Sequence, residues 1–97
     1  MSYTILTTSE YKRRVNKLVK RDKRLKQKYI EITELISEAP YSQSLSTHKI
    51  HSSVYEKVWS SIVTGDIRIL WNFFGPQKVI ILLLTTGGHS GGYKVYR

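Results

Sequence analysis

Residues 67–84, IRILWNFFGPQKVIILLL, decide the fold. Two runs rich in β-branched and aromatic residues, 67–74 and 78–85, are separated only by a Gly75-Pro76 turn signal. A connection that short joins antiparallel neighbours, because parallel strands need a long crossover. The unbroken apolar segment 79–84 reads as the most buried strand, covered on both faces. It is far too short to span a bilayer. Upstream, residues 54–59 have the same composition and are linked to Ile67 through Thr64-Gly65-Asp66, which extends the pair into a meander.

The first half has a different period. Residues 3–7 read as a short strand with Tyr3, Ile5 and Thr7 on one face. Ser9 is the expected N-cap of a first helix, with Glu10 in its first turn and Tyr11, Val15, Leu18 and Val19 at helical spacing. Asp22 breaks and re-caps the chain. A second stripe then follows through Leu25, Tyr29, Ile32, Leu35 and Ile36, ending before Pro40. Residues 41–47 are polar and serine-rich, hence a loop, and His48 is expected in the same polar stretch. Residues 86–92 read as a glycine-rich turn and 93–97 as a last short strand. The expected class is α+β: an N-terminal strand and a helical hairpin packed on a mainly antiparallel sheet. At 97 residues the chain is expected to form a single domain, residues 1–97.

Charge is unevenly distributed. The chain holds sixteen Lys and Arg against seven Asp and Glu, a formal +9. Ten of the basic residues and one of the acids fall between Tyr11 and Lys28, so the helical hairpin carries the whole excess. Like charges at helical spacing repel, and that cost points to a compensating polyanion. Lys12, Arg13, Lys17, Lys20, Arg21, Lys23, Arg24 and Lys26, with Lys57 further on, are the expected nucleic-acid contacts. With no cysteine there is no disulfide scaffold, thiolate metal site or thiol nucleophile. His48 and His51 lack an apparent third ligand, so no metal or other cofactor is expected. The polar start lacks the order of a signal peptide, and a cytoplasmic location without membrane attachment is expected.

Three stretches resemble the RelE/ParE toxin superfamily. They are His48-Lys49-Ile50 with Trp59-Ser60-Ser61, then 64–71 (TGDIRILW), then 82–89 (LLLTTGGH) with the ending Lys94-Val95-Tyr96-Arg97. The resemblance covers almost the whole chain and is nearer to the RelE and YafQ branches. It implies the toxin of a type II toxin–antitoxin system, a ribosome-dependent messenger-RNA endonuclease working without metal. A ParE-like inhibitor of DNA gyrase, or an inactive basic nucleic-acid-binding relative, are the alternatives. The implied partners are a cognate acidic antitoxin, in a hetero-oligomer, and messenger and ribosomal RNA.

Metal-free RNA cleavage needs a base for the 2′-hydroxyl, a cation for the phosphoryl oxygens and an acid for the departing 5′-oxygen. Arg68 is expected to supply the cation; its competing role is a salt bridge to Asp66 or Glu56. His89, between glycine pairs, suits proton transfer near neutral pH. The resemblance adds His48 and Asp66 as acid–base residues and Tyr96 as the residue that orients the scissile nucleotide, with Tyr93 as its alternative. YafQ-like enzymes carry a further histidine where this chain has Ile62.

Overall fold

The structure, a computed structural model, describes residues 2–52 and 54–88. Its elements are β1 (Thr4–Thr7), α1 (Ser9–Val19), α2 (Lys23–Glu38), β2 (His48–Ser52), β3 (Glu56–Ile62), β4 (Ile67–Phe74) and β5 (Ile80–Gly88), with a 3₁₀ turn at Gln43–Leu45. The strands form one sheet in the order β1-β5-β4-β3-β2. All neighbours are antiparallel except β1 and β5, which run parallel from Thr4 opposite Ile80 to Thr7 opposite Leu83. This is the expected α+β architecture, with two helices on one face of the sheet. Among the described residues no helix is long and apolar enough to cross a membrane.

The stripes read from sequence face the sheet. Tyr11 of α1 and Tyr29, Ile32 and Ile36 of α2 are buried against Ile69 and Trp71 of β4 and Ile81 and Leu83 of β5. Burying one such aliphatic side chain is worth about 1.5–3 kcal/mol. The other face carries no helix. There, among the described residues, Val58 and Leu70 are the sealed apolar side chains, under Ile50, Tyr55 and Leu84, with the polar Ser60 and Thr85 buried on the same face. The expectation that residues 79–84 are covered on both faces therefore needs correction. Ile81 and Leu83 are fully buried, Leu82 and Leu84 are half-buried on the helix-free face, and Val79 is exposed just before the strand.

Local boundaries differ from expectation in four places, each for a physical reason. The N-cap of α1 is Thr8, not Ser9. Thr8 keeps an extended backbone, its hydroxyl accepts from the Tyr11 amide at 3.0 Å, and it donates to the Leu84 carbonyl at 2.6 Å. His48 opens an edge strand instead of lying in the loop, because it pairs with Ser60 and continues a register to Ser52 opposite Glu56. Residues 54–59 are displaced, since β3 begins only at Glu56 and runs on to Ile62. Residues 86–88 extend β5 instead of turning, with Gly87 opposite Arg68 and Gly88 opposite Ile67. The strand expected at 93–97 lies outside the described residues. The cap at Asp22 holds as expected, its carboxylate accepting from the Leu25 amide at 3.0 Å.

One irregularity controls what faces where. Leu70 pairs with Thr85 but Trp71 pairs with Leu83, so Leu84 is an extra residue, a β-bulge. Beyond the bulge the alternation of β5 is inverted. Thr86 turns under the helices, while Thr85 and Gly87 lie on the helix-free face.

Thr8 joins the helix cap to the bulge. Thr8→Ala is expected to destabilise the protein by about 1–2 kcal/mol and to lower the thermal midpoint by about 5–10 °C. Thr8→Ser should recover most of the loss in the same melting experiment.

Candidate functional site

Arg68 is the second residue of β4, and Ile67 and Ile69 on either side of it point into the core under the helices. Alternation therefore places its side chain on the helix-free face. Its Nη1 donates to the Thr64 carbonyl at 2.8 Å, the Gly65 carbonyl at 3.0 Å and the Ile67 carbonyl at 3.3 Å. The turn receiving these bonds is itself tied down. Val63 N–H donates to the Ile67 carbonyl, and the Thr64 hydroxyl accepts from the amides of Asp66 and Ile67. The guanidinium is thus held by main-chain oxygens of the β3–β4 turn. A salt bridge to Glu56, one role weighed for Arg68, is out of reach. Glu56 opens β3 and Ile62, opposite Arg68, closes it, a span of roughly 20 Å.

The strand neighbours of Arg68 are Ile62 on β3 and Gly87 on β5. Gly87 brings no side chain of its own against Arg68, and the arginine stays half-exposed although Gly87 is buried. Ile62, directly beside the arginine, is apolar and can transfer no proton.

A buried relay fixes the backbone of Arg68 from behind. The Thr86 hydroxyl donates to the Arg68 carbonyl at 2.8 Å, and the Tyr29 hydroxyl from α2 lies 2.7 Å from Thr86 Oγ1. Since the threonine proton is used on the carbonyl, Tyr29 is the donor in that pair. Burial pushes the Tyr29 phenol up from its ordinary value, against the Thr86 hydrogen bond, so the proton stays in place. Arg14 of α1 reaches the same point, its Nη1 donating to the Thr86 carbonyl at 3.3 Å. Spacing showed Tyr29 only as a stripe residue; its hydroxyl partner lies fifty-seven positions away.

A second cluster, also not legible in the sequence, lies on the helix-free face beyond the bulge. Tyr55 donates to the Glu10 carboxylate at 3.0 Å. The Thr85 hydroxyl exerts the largest pull holding the Glu10 carboxyl below its usual range, although the pair falls short of full hydrogen-bond geometry. Burial opposes that pull, while Tyr55, Arg14 and Arg13 add to it. Glu10 had a sufficient local role in the first turn of α1, and that role hid this one.

Asp66 is exposed in the turn immediately before β4, next to Arg68. His48 lies on the helix-free face opposite Ser60, with Nδ1 at 2.9 Å from the Ser46 carbonyl. It is two strands from Arg68, roughly 12 Å away at the backbone. The described strand ends at Gly88 opposite Ile67; His89, Tyr93 and Tyr96 lie outside the described residues. Lys12, Arg13, Lys17, Lys20, Arg21, Lys23, Arg24 and Lys26 are all exposed, running from the start of α1 through the bend into the first turn of α2. That bend meets the Arg68 turn, for Asp22, Arg24, Leu25, Lys28 and Thr64 line a shared cavity of about 340 Å³. Lys57 stands apart: it alternates with Val58 and points with Trp59 to the opposite face from Arg68. Among the described residues no three His, Cys, Asp or Glu side chains gather as metal ligands would.

No protein-family model matches the chain, and no curated protein sequence matches it. Solved structures do share its fold. A YoeB/ParE toxin from Agrobacterium tumefaciens superposes with a TM-score of 0.72 at 13% identity, over 90% of this chain and 99% of that one. The archaeal RelE–RelB complex from Pyrococcus horikoshii OT3 gives 0.71 at 13% identity, over 95% and 100% of the two chains. The E. coli DinJ-YafQ toxin-antitoxin complex gives 0.68 at 15% identity, over 92% and 94%. The fold is that of the RelE/ParE-like toxins.

Two measurements check the networks. Tyr29→Phe should cost about 1 kcal/mol in urea unfolding, the size of one buried hydrogen bond. Glu10 has a folded-state pKa below its unfolded one, so the unfolded chain binds the proton first. Its stabilisation is complete above the unfolded carboxyl range, about 4.3, and is lost as pH falls through the lowered folded value. Glu10→Gln should therefore flatten the acid limb of stability against pH and leave its shape near neutrality unchanged.

Proposed function

We propose that this chain is the toxin of a type II toxin–antitoxin pair and acts as a ribosome-dependent messenger-RNA endonuclease. The observation that carries the reading is Arg68. A strand arginine, half-exposed on the helix-free face, is braced by turn carbonyls, and its turn adjoins the basic helical hairpin. A phosphate reaching the half-exposed Arg68 meets a fixed guanidinium, and the hairpin lysines and arginines hold flanking polyanion. The solved RelE–RelB and DinJ-YafQ complexes support a cognate antitoxin as the partner of a toxin with this fold. Here that antitoxin would be acidic where it crosses the hairpin.

In this reading Arg68 takes the charge that builds on the non-bridging oxygens as the 2′-oxygen attacks phosphorus. His89 protonates the leaving 5′-oxygen, and Asp66 or His48 accepts the 2′-hydroxyl proton. Tyr96, or Tyr93 in its place, orients the scissile nucleotide. The reaction requires a 2′-hydroxyl and is selective for RNA. No cofactor enters, the site of action is the cytoplasmic ribosome, and the resting form is a hetero-oligomer with the antitoxin. Ile62 beside Arg68 favours a second reading, a ParE-like inhibitor of gyrase, because it replaces an acid–base side chain with an inert one.

Mapping message 5′ ends after induced expression tests the proposal. Arg68→Ala should lower cleavage by roughly 10²–10³-fold and His89→Ala by about 10²–10⁴-fold, both with native far-ultraviolet spectra. Growth arrest with intact messages and broken DNA would overturn it in favour of the gyrase reading.

A further inference from the structure

A continuous row of rings crosses the helix-bearing face of the sheet. Tyr3 meets Phe73 at 5.9 Å, Phe73 meets Trp71 at 5.5 Å, Trp71 stacks on Trp59 at 5.9 Å, and Trp59 meets Tyr41 edge-on at 5.1 Å. The middle of the row is core, with Trp71 fully buried. Its end at the β2 edge is not. Trp59 is half-buried and Tyr41 is 54% exposed.

Cations gather at that same end. Lys49 Nζ lies 5.2 Å over the Trp59 ring. Lys49 pairs across the strands with Trp59, and His51 pairs with Lys57. Alternation puts all four on the helix-bearing face. Lys49, His51 and Lys57, with Ile50, line a shallow cavity of about 300 Å³. The two strands hold one carboxylate, Glu56, at their hairpin end. A packed core needs neither an exposed tyrosine nor two exposed lysines at its margin.

We propose that this edge is a stacking platform for single-stranded nucleic acid. A base lies against the exposed Tyr41 ring and takes the place of Lys49 over Trp59, whose other face stays stacked on Trp71. The displaced Lys49, with Lys57, holds the phosphates on either side. The chemistry fits one ligand class: flat rings accept the π-face of any base, and flexible ammonium groups follow a backbone without reading sequence. The platform is on the opposite face from Arg68. It gives Lys57 a place in nucleic-acid binding that the Arg68 groove does not, and it stands whether or not the chain cuts RNA.

The test is titration with a short 2′-O-methyl oligoadenylate, which lacks the hydroxyl needed for cleavage, followed by tryptophan emission. The chain has two tryptophans and Trp71 is sealed, so quenching reports a base on Trp59. Saturable quenching is expected, and Tyr41→Ala should weaken it about 5–100-fold. The double variant Lys49→Ala/Lys57→Ala, at exposed positions, should reduce the steepness of the salt dependence by about 1.4. An abasic strand of equal length should bind without quenching. Arg68→Ala should leave the quenching unchanged, which separates this proposal from the cleavage reading. Binding without quenching would overturn it. So would an unchanged affinity and salt slope in the lysine variant, or equal quenching by polyglutamate, which would assign the edge to acidic polypeptides.

Discussion

The rest of the structure depends on the requirement that every main-chain group of β5 find a partner. One side of the strand is paired with β4 from Ile80 to Gly88. The other side is paired with β1 only as far as Leu83, because β1 ends at Thr7. Buried carbonyls left unpaired would each cost about 1–3 kcal/mol. Thr8 supplies an amide to Leu83 and a hydroxyl to Leu84, and Arg14 supplies a guanidinium nitrogen to Thr86. The first helix is therefore placed by the needs of the central strand as well as by its apolar stripe. The bulge at Leu84 occurs where strand pairing ends and side-chain pairing begins.

That arrangement unites regions far apart in sequence. The excess charge belongs to the helical hairpin and Arg68 belongs to the sheet, an apparent division between docking and chemistry. In space they share the turn at Thr64, which braces Arg68 on one side and lines the cavity with Arg24 and Lys28 on the other. The repulsion among ten cations in eighteen residues falls at the same end of the molecule as the candidate site. A polyanion bound there would relieve the repulsion and be positioned by it.

The features legible in the sequence have local causes. Asp22 caps α2 because a carboxylate beside free amides suffices for it. Ile67–Phe74 and the stripe from Leu25 to Ile36 follow from period and composition. β2 was not legible. HKIHS is polar, and an edge strand half in water shows little alternation; its formation depends on pairing with β3. Arg68 could be singled out because a cation among apolar strand residues must have a partner, but the choice of turn carbonyls over Glu56 required the register. Glu10, Thr85 and Tyr55 were invisible together, since each has an adequate local role and they meet only across the fold.

By itself the sequence determined the inventory: two amphipathic helices, a β-rich second half, the basic hairpin and an arginine at the start of a strand. Period, capping and charge are properties of neighbours along the chain, and they act before any tertiary contact forms. Only the tertiary structure decided the orientation of the upper part of β5. Strict alternation from Ile81 puts Thr86 on the helix-free face; the bulge turns it beneath α2, where Tyr29 meets it and it holds the Arg68 carbonyl. No local propensity specifies that inversion. It comes from two strands matching hydrogen bonds and side-chain faces at once, a condition set by the partner strand.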